Sequence, residues 1–335
     1  MATMRAIVLE PTGRLSDAEL PKPEPAGRDL LVKVQAVAVN PVDTKQRIES
    51  GTRVLGFDVA GVVEETGPEC QLFRPGDEVY YAGDITRPGG FSEYHVVDER
   101  IVGRKPASLS FVEAAVLPLT GLTAWEGLFD RMGLPEPVTD GIRRAAGVPI
   151  LVVGAAGGVG SMAVQLAKLA GLTVIGTASR PESSAWVREL GADGVIDHSQ
   201  PFRTQLEALG IREVPYVFCL NAVDPNWDAM IDVLAPQGKL CTILPPMGTV
   251  AFRPLFNKSV AWFTELMFTR STFQTPDMQR QHDILTRLAA LVNAGQVRTT
   301  LRERLSPICA RTLEEAFARL RSGRTIGKIG LEGFE

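Results

Sequence analysis

The chain has 335 residues, 45% hydrophobic and 22% charged, with a formal net charge of −4. That is the make-up of a globular protein long enough for two domains, with no basic surface for nucleic acid and no apolar run near the ~20 residues of a membrane span. Four scattered cysteines and an N-terminus, MATMRAIVLE, without a basic region and apolar core lead to the expectation of a reducing, cytoplasmic setting.

Up to about residue 120 the pattern is that of strands. LLVKVQAVAVN (Leu30–Asn40) is valine-rich and partly alternating, VAGVVEETG and GDEVYYAG are short runs closed by glycine, and FSEYHVVDE alternates. From Phe111, FVEAAVLPLTGLTAWEGLF has helical spacing with an interruption at Pro118. The stretch Arg131–Val148 is turn-rich and is expected to be a surface insertion. Strands and helices then alternate: PILVV, SMAVQLAKLAG, TVIGTA, ESSAWVRELGA, GVIDH, PYVFCLN, WDAMIDVLAPQG and KLCTIL. Repeated units of this length argue for a parallel sheet with helices on both faces. Two amphipathic helices, QRQHDILTRLAALVNAG and ARTLEEAFARLRSG, and a strand, GKIGLE, complete the chain.

One loop in this series carries chemistry. In LVVGAAGGVGS, small residues join an apolar strand to a helix, the context in which such a cluster approaches a pyrophosphate that the helix N-terminus stabilises. Gly157 and Gly160 take the later glycine positions of G-x-G-x-x-G, with Ala155 in the first, so Gly157, Gly158, Val159 and Gly160 are the expected cofactor-binding residues. A bare glycine turn in an α/β core is the competing reading. The end of the second strand selects the dinucleotide. An NAD site places Asp or Glu there, whereas this chain has Ala178, Ser179 and Arg180, with Ser183 beyond. Arginine and hydroxyls suit a 2′-phosphate and favour NADP(H); the alternative is a solvated arginine. His198 is expected to flank the same adenosine pocket or simply to lie on the surface.

Six segments in order, AVNPVDTKQR (38–47), GFDVAGVVEETG (56–67), FRPGDEVYYAG (73–83), AVLPLTGLTAWEGLF (115–129), GAAGGVGSMAVQLAK (154–168) and GKIGLEGF (327–334), resemble the medium-chain dehydrogenase/reductase superfamily. Within it the chain is similar to the quinone oxidoreductase branch and to the group of zinc-type alcohol dehydrogenase-like proteins. The resemblance implies an α/β protein in which a GroES-like, partly open β-barrel catalytic domain (1–122, completed by 269–335) accompanies a Rossmann doubly wound parallel-sheet domain (123–268). It implies homodimers through Rossmann-sheet edges, with Ser259–Phe268 as the pairing strand; an ordinary core strand is the alternative.

The resemblance also implies roles for single residues. Asn40 is expected beside the nicotinamide, Thr123 near the carboxamide, Lys328 at the cofactor phosphates and Asn221 near the nicotinamide. Asp43 and Lys45, close after Asn40, are expected either as a donor pair at the catalytic cleft or as a structural ion pair. Where zinc-binding relatives carry Cys and His, this chain has Asn40 and Phe57, and neither is a zinc donor of the expected kind, so no metal is expected. Asp84 and His95 are conceivable ligands, but a lone His on an alternating strand reads as structural. Without a Lewis acid, an already electrophilic acceptor such as a quinone or enone fits best. A zinc-free alcohol or aldehyde reductase and a non-catalytic NADPH-binding redox sensor are the competing readings.

Overall fold

The computed structural model describes residues 2–137, 145 and 147–334, and it divides into two compact units: residues 1–122 with 268–335, and residues 123–267. Much of the expected surface insertion at 131–148 lies outside the described residues.

In the unit 123–267, six strands form one parallel sheet in the order Gly194–Ile196, Thr173–Thr177, Pro149–Val153, Val214–Cys219, Leu234–Thr242, Ala261–Thr264. Ile150 to Val153 are all buried, which explains why this strand reads as a continuous apolar run rather than an alternating one. Chain order reverses direction between Pro149–Val153 and Val214–Cys219, and such a switch point opens a crevice at the carboxyl ends of the strands. The helix Gly158–Ala170 ends where Gly171 adopts φ 97°, a left-handed cap that glycine takes without steric penalty. Ala261–Thr264 is one of the two edge strands, paired on one side by Leu234–Thr242.

In the other unit, the ten-residue strand Asp29–Ala38 pairs antiparallel with Val59–Thr66, Tyr94–Asp98 and Lys328–Glu332, which brings the end of the chain beside residues 36–38. Its Leu30, Val32, Val34 and Val37 join the buried cluster of this unit. Pro118 does not merely interrupt a helix. It opens a second one, Pro118–Trp125, after Phe111–Ala115, whose start is fixed by Ser110 and Glu113 in a capping box. A six-residue π turn, Glu126–Arg131, follows and has no counterpart in the sequence pattern. Arg53–Val54 is a short strand paired with Val8–Leu9. Among the described residues no helix is long and apolar enough to cross a membrane.

Candidate functional site

The glycine loop is shaped by three distinct requirements. Gly154 has φ 85°, and a Cβ there would lie 2.7 Å from Asn221 Oδ1, so Asn221 is packed over the turn. At Gly160 a Cβ would stand 2.3 Å from Gly154 O, which makes glycine obligatory for packing the helix on its own loop. Gly157 is different. Its φ of −74° suits any residue, and the nearest atom to a Cβ there is Gly154 O at 3.6 Å. Nothing in the protein demands glycine at 157, so the space beside it is a cradle that a side chain would fill. Among the described residues no side chain caps the helix Gly158–Ala170 and no acid stands in its first turn, which leaves its initial N–H groups to an external acceptor. The residues present therefore fit a dinucleotide pyrophosphate.

Three hydroxyl and indole groups that sequence reading missed hold this loop. Thr177 Oγ1 accepts from Gly154 N at 2.9 Å, Ser161 Oγ donates to Gly157 O at 2.8 Å, and Trp186 Nε1 donates to Ser161 Oγ at 2.8 Å. The chain thus ties loop, helix and the neighbouring helix Pro181–Glu189 into one hydrogen-bonded set.

At the adenosine end, Ala178 is buried with its N–H bonded to Ile196 O, Ser179 is exposed, and Arg180 is the N-cap of Pro181–Glu189. The Ser183 hydroxyl donates to Arg180 O at 2.9 Å and accepts from Arg180 N at 3.2 Å, a local cap of this helix. His198 stands exposed beyond Gly194–Ile196. Thr123 is buried in the helix Pro118–Trp125.

The candidate catalytic residues of the other unit form a buried polar network. Lys328 Nζ donates to Asn40 Oδ1 (2.6 Å), Val39 O (2.8 Å) and Asp58 Oδ2 (2.8 Å). Asn40 Nδ2 donates to Phe57 O at 3.1 Å and to Asp58 Oδ2 at 2.9 Å, while Asp58 Oδ1 accepts from Leu119 N at 2.8 Å. Burial pushes the Asp58 carboxyl up, and the Lys328 ammonium draws it back. Asp43 Oδ2 accepts from Asn40 N at 2.7 Å, and Oδ1 is buried without a hydrogen-bond partner. Burial is the main reason its carboxyl rises to about 7.

This geometry gives three of the expected residues specific partners or surroundings. The Lys328 ammonium is turned inward onto three oxygens. The Asn40 carboxamide is fully engaged by the chain itself, and Lys45 is exposed and makes no ion pair with the buried Asp43. Asp58, the acid at the centre of the network, was visible in GFDVAG only as a departure from the metal-binding pattern.

Those donors do not fit a catalytic zinc. Asn40 is saturated by Phe57, Asp58 and Lys328, and the Phe57 ring is buried edge-on against Phe268, with centroids 5.3 Å apart. His95 serves structure: Nε2 donates to Pro88 O at 2.9 Å and Nδ1 accepts from Tyr81 at 3.1 Å. Burial lowers its pKa to about 4, so the ring is neutral. Among the described residues no group of three or more His, Cys, Asp and Glu side chains is placed to hold a metal.

A doubly wound parallel sheet in one unit and a GroES-like antiparallel unit in the same chain define an oxidoreductase of the alcohol dehydrogenase type. The chain belongs to the medium-chain dehydrogenase/reductase superfamily. Residues 26–107 match the alcohol dehydrogenase GroES-like domain and residues 158–290 the zinc-binding dehydrogenase domain. The chain is 39% identical to a zinc-type alcohol dehydrogenase-like protein of Staphylococcus aureus (strain MRSA252) over 92% of each chain. It is 30% identical to the chloroplast envelope quinone oxidoreductase homolog of Arabidopsis thaliana over 95% of this chain and 94% of that one. A solved alcohol-dehydrogenase-type protein of Rhizobium etli CFN 42 is 48% identical, with a TM-score of 0.93 and coverage of 100% and 99%.

Proposed function

We propose that the chain is an NADPH-dependent, zinc-independent reductase of quinones or activated alkenes. The observation that carries the cofactor half is the bare cradle at Gly157 together with Ala178 and Arg180 where an NAD site would carry an acid. The pyrophosphate would lie on the N–H groups of Gly158, Val159 and Gly160, with Asn221 at the far side of Gly154, and Ser179 and Arg180 would bind the 2′-phosphate. The bound nicotinamide supplies hydride. Because the donor set at Asn40 and Phe57 is unsuited to a Lewis acid, the acceptor must already be electrophilic. Asp43, protonated near neutrality and with one oxygen unengaged, is the group of the buried network able to supply the accompanying proton. The edge strand Ala261–Thr264 is the face through which two copies would pair.

The test is NADPH oxidation with quinone, enone and aldehyde acceptors. Turnover of quinone or enone supports the proposal; turnover of aldehyde alone, or NADPH binding without turnover of any acceptor, overturns it. Arg180→Ala should weaken NADPH binding about tenfold, ~1.4 kcal/mol, and leave NADH nearly unchanged. Equal losses for both cofactors make Arg180 structural.

A further inference from the structure

The chain passes between its two compact units at 122/123 and again at 267/268. Just inside the unit 123–267, Glu126 opens the π turn Glu126–Arg131, and Glu265 follows the edge strand Ala261–Thr264. Both carboxylate side chains are 0% exposed. Arg131 Nε donates to Glu265 Oε2 at 2.7 Å, and Arg131 Nη2 lies 3.9 Å from Glu126 Oε2. The remaining titratable and charged groups of the adjoining elements are Asp130 on the same turn, and Lys239 and Cys241 on Leu234–Thr242. The Lys239 ammonium is turned to Met132 O at 2.7 Å, and burial pushes the Cys241 thiol up. Glu265 therefore faces another acid as well as the guanidinium, in a place where a second bare carboxylate is strongly disfavoured.

We propose that Glu265 and Glu126 share one proton, and that this pair, with Arg131, is a clamp fastening the two chain passages to each other. Protonated Glu265 donates to the Glu126 carboxylate and accepts from Arg131; loss of the proton sets two buried negative charges against each other and opens the clamp. Two passages 145 residues apart (268 − 123) are thereby held by one proton-dependent contact.

The direction of the pH effect follows from the same groups. Burial first, then the charge of Glu126, raises the Glu265 carboxyl from 4.5 to about 9. Over that window the folded chain keeps a proton that the unfolded chain has lost, so stability falls as pH rises from about 4.5 to about 9 and changes no further above it. Glu265→Gln keeps an N–H donor toward Glu126 but has no proton to lose. Amide hydrogen exchange of the full chain, corrected for intrinsic rates, should accelerate roughly tenfold or more at 123–131 and 260–267 in the parent between neutral pH and about pH 10. In Glu265→Gln it should stay flat, and the thermal midpoint should fall less steeply with pH. Equal acceleration in both proteins, or none in the parent, overturns the clamp. Should the variant fail to fold, infrared spectra of the parent in heavy water decide: a protonated carboxyl band at neutral pH, lost as pH passes about 9, supports the shared proton, and its absence at neutral pH overturns it.

Discussion

Replacing Gly157 with valine should abolish NADPH binding, a loss of roughly a hundredfold or more, while the protein stays folded. The backbone at 157 is already in a region open to valine, and the nearest chain atom leaves ordinary van der Waals room for the new side chain. Changing an N-cap glycine to a β-branched residue costs about 1 kcal/mol at most. The isopropyl group would stand in the space that the pyrophosphate must enter to reach the N–H groups of the helix. Gly160→Val is the contrasting variant. Its Cβ would fall 2.3 Å from Gly154 O and 2.6 Å from Ala155, so it should lose about 1–3 kcal/mol of stability before binding is considered. Nucleotide titration together with thermal melts reads both effects. NADPH binding by Gly157→Val at parental affinity, with a normal melt, removes the cofactor assignment from this loop.

Lys328→Met should destabilise the chain by about 3–5 kcal/mol at neutral pH, the loss expected when one member of a buried ion pair is removed and the other is left charged. Asp58 is 0% exposed and would retain only N–H partners from Asn40 and Leu119. Without the ammonium, burial would be opposed only by those two N–H donors and would raise the folded pKa of its carboxyl further above the unfolded value. The deficit should then shrink as pH falls and the carboxyl protonates in the folded state. Urea unfolding of parent and variant at neutral and mildly acidic pH measures this. A loss below about 1 kcal/mol, or a deficit that grows toward acid, contradicts a charged buried pair.

What the sequence made legible is local. The glycine cluster, the buried strand before it and the helix end at Gly171 each lie within a few residues, and their spacing alone constrains the backbone. The second half of the cofactor loop was legible only in composition: Arg180-Pro-Glu-Ser183 has the spacing of a helix start, and that cap is what occupies the Ser183 hydroxyl. The buried network was not legible because its members stand at 40, 58 and 328, and no local pattern says that a lysine near the C-terminus points inward. The strand pairing of Lys328–Glu332 with Asp29–Ala38 decides it. The π turn was hidden for a different reason. Its residues continue the apolar spacing of the preceding helix, and the insertion of one extra residue per turn leaves no compositional mark.

The occupation of positions 40 and 57 has a consequence for redesign. Asn40 serves Lys328 as acceptor and Asp58 as donor, so exchanging it for cysteine would strip both ions of a partner in the same step. Placing histidine at 57 would set a polar ring in the seat that now packs against Phe268. Each change is harmful before the other is made, and neither gains metal affinity alone. Installing zinc donors at 40 and 57 one at a time should therefore cost stability at each step, so a metal site could be built here only together with a new set of partners for Lys328, Asp58 and Phe268.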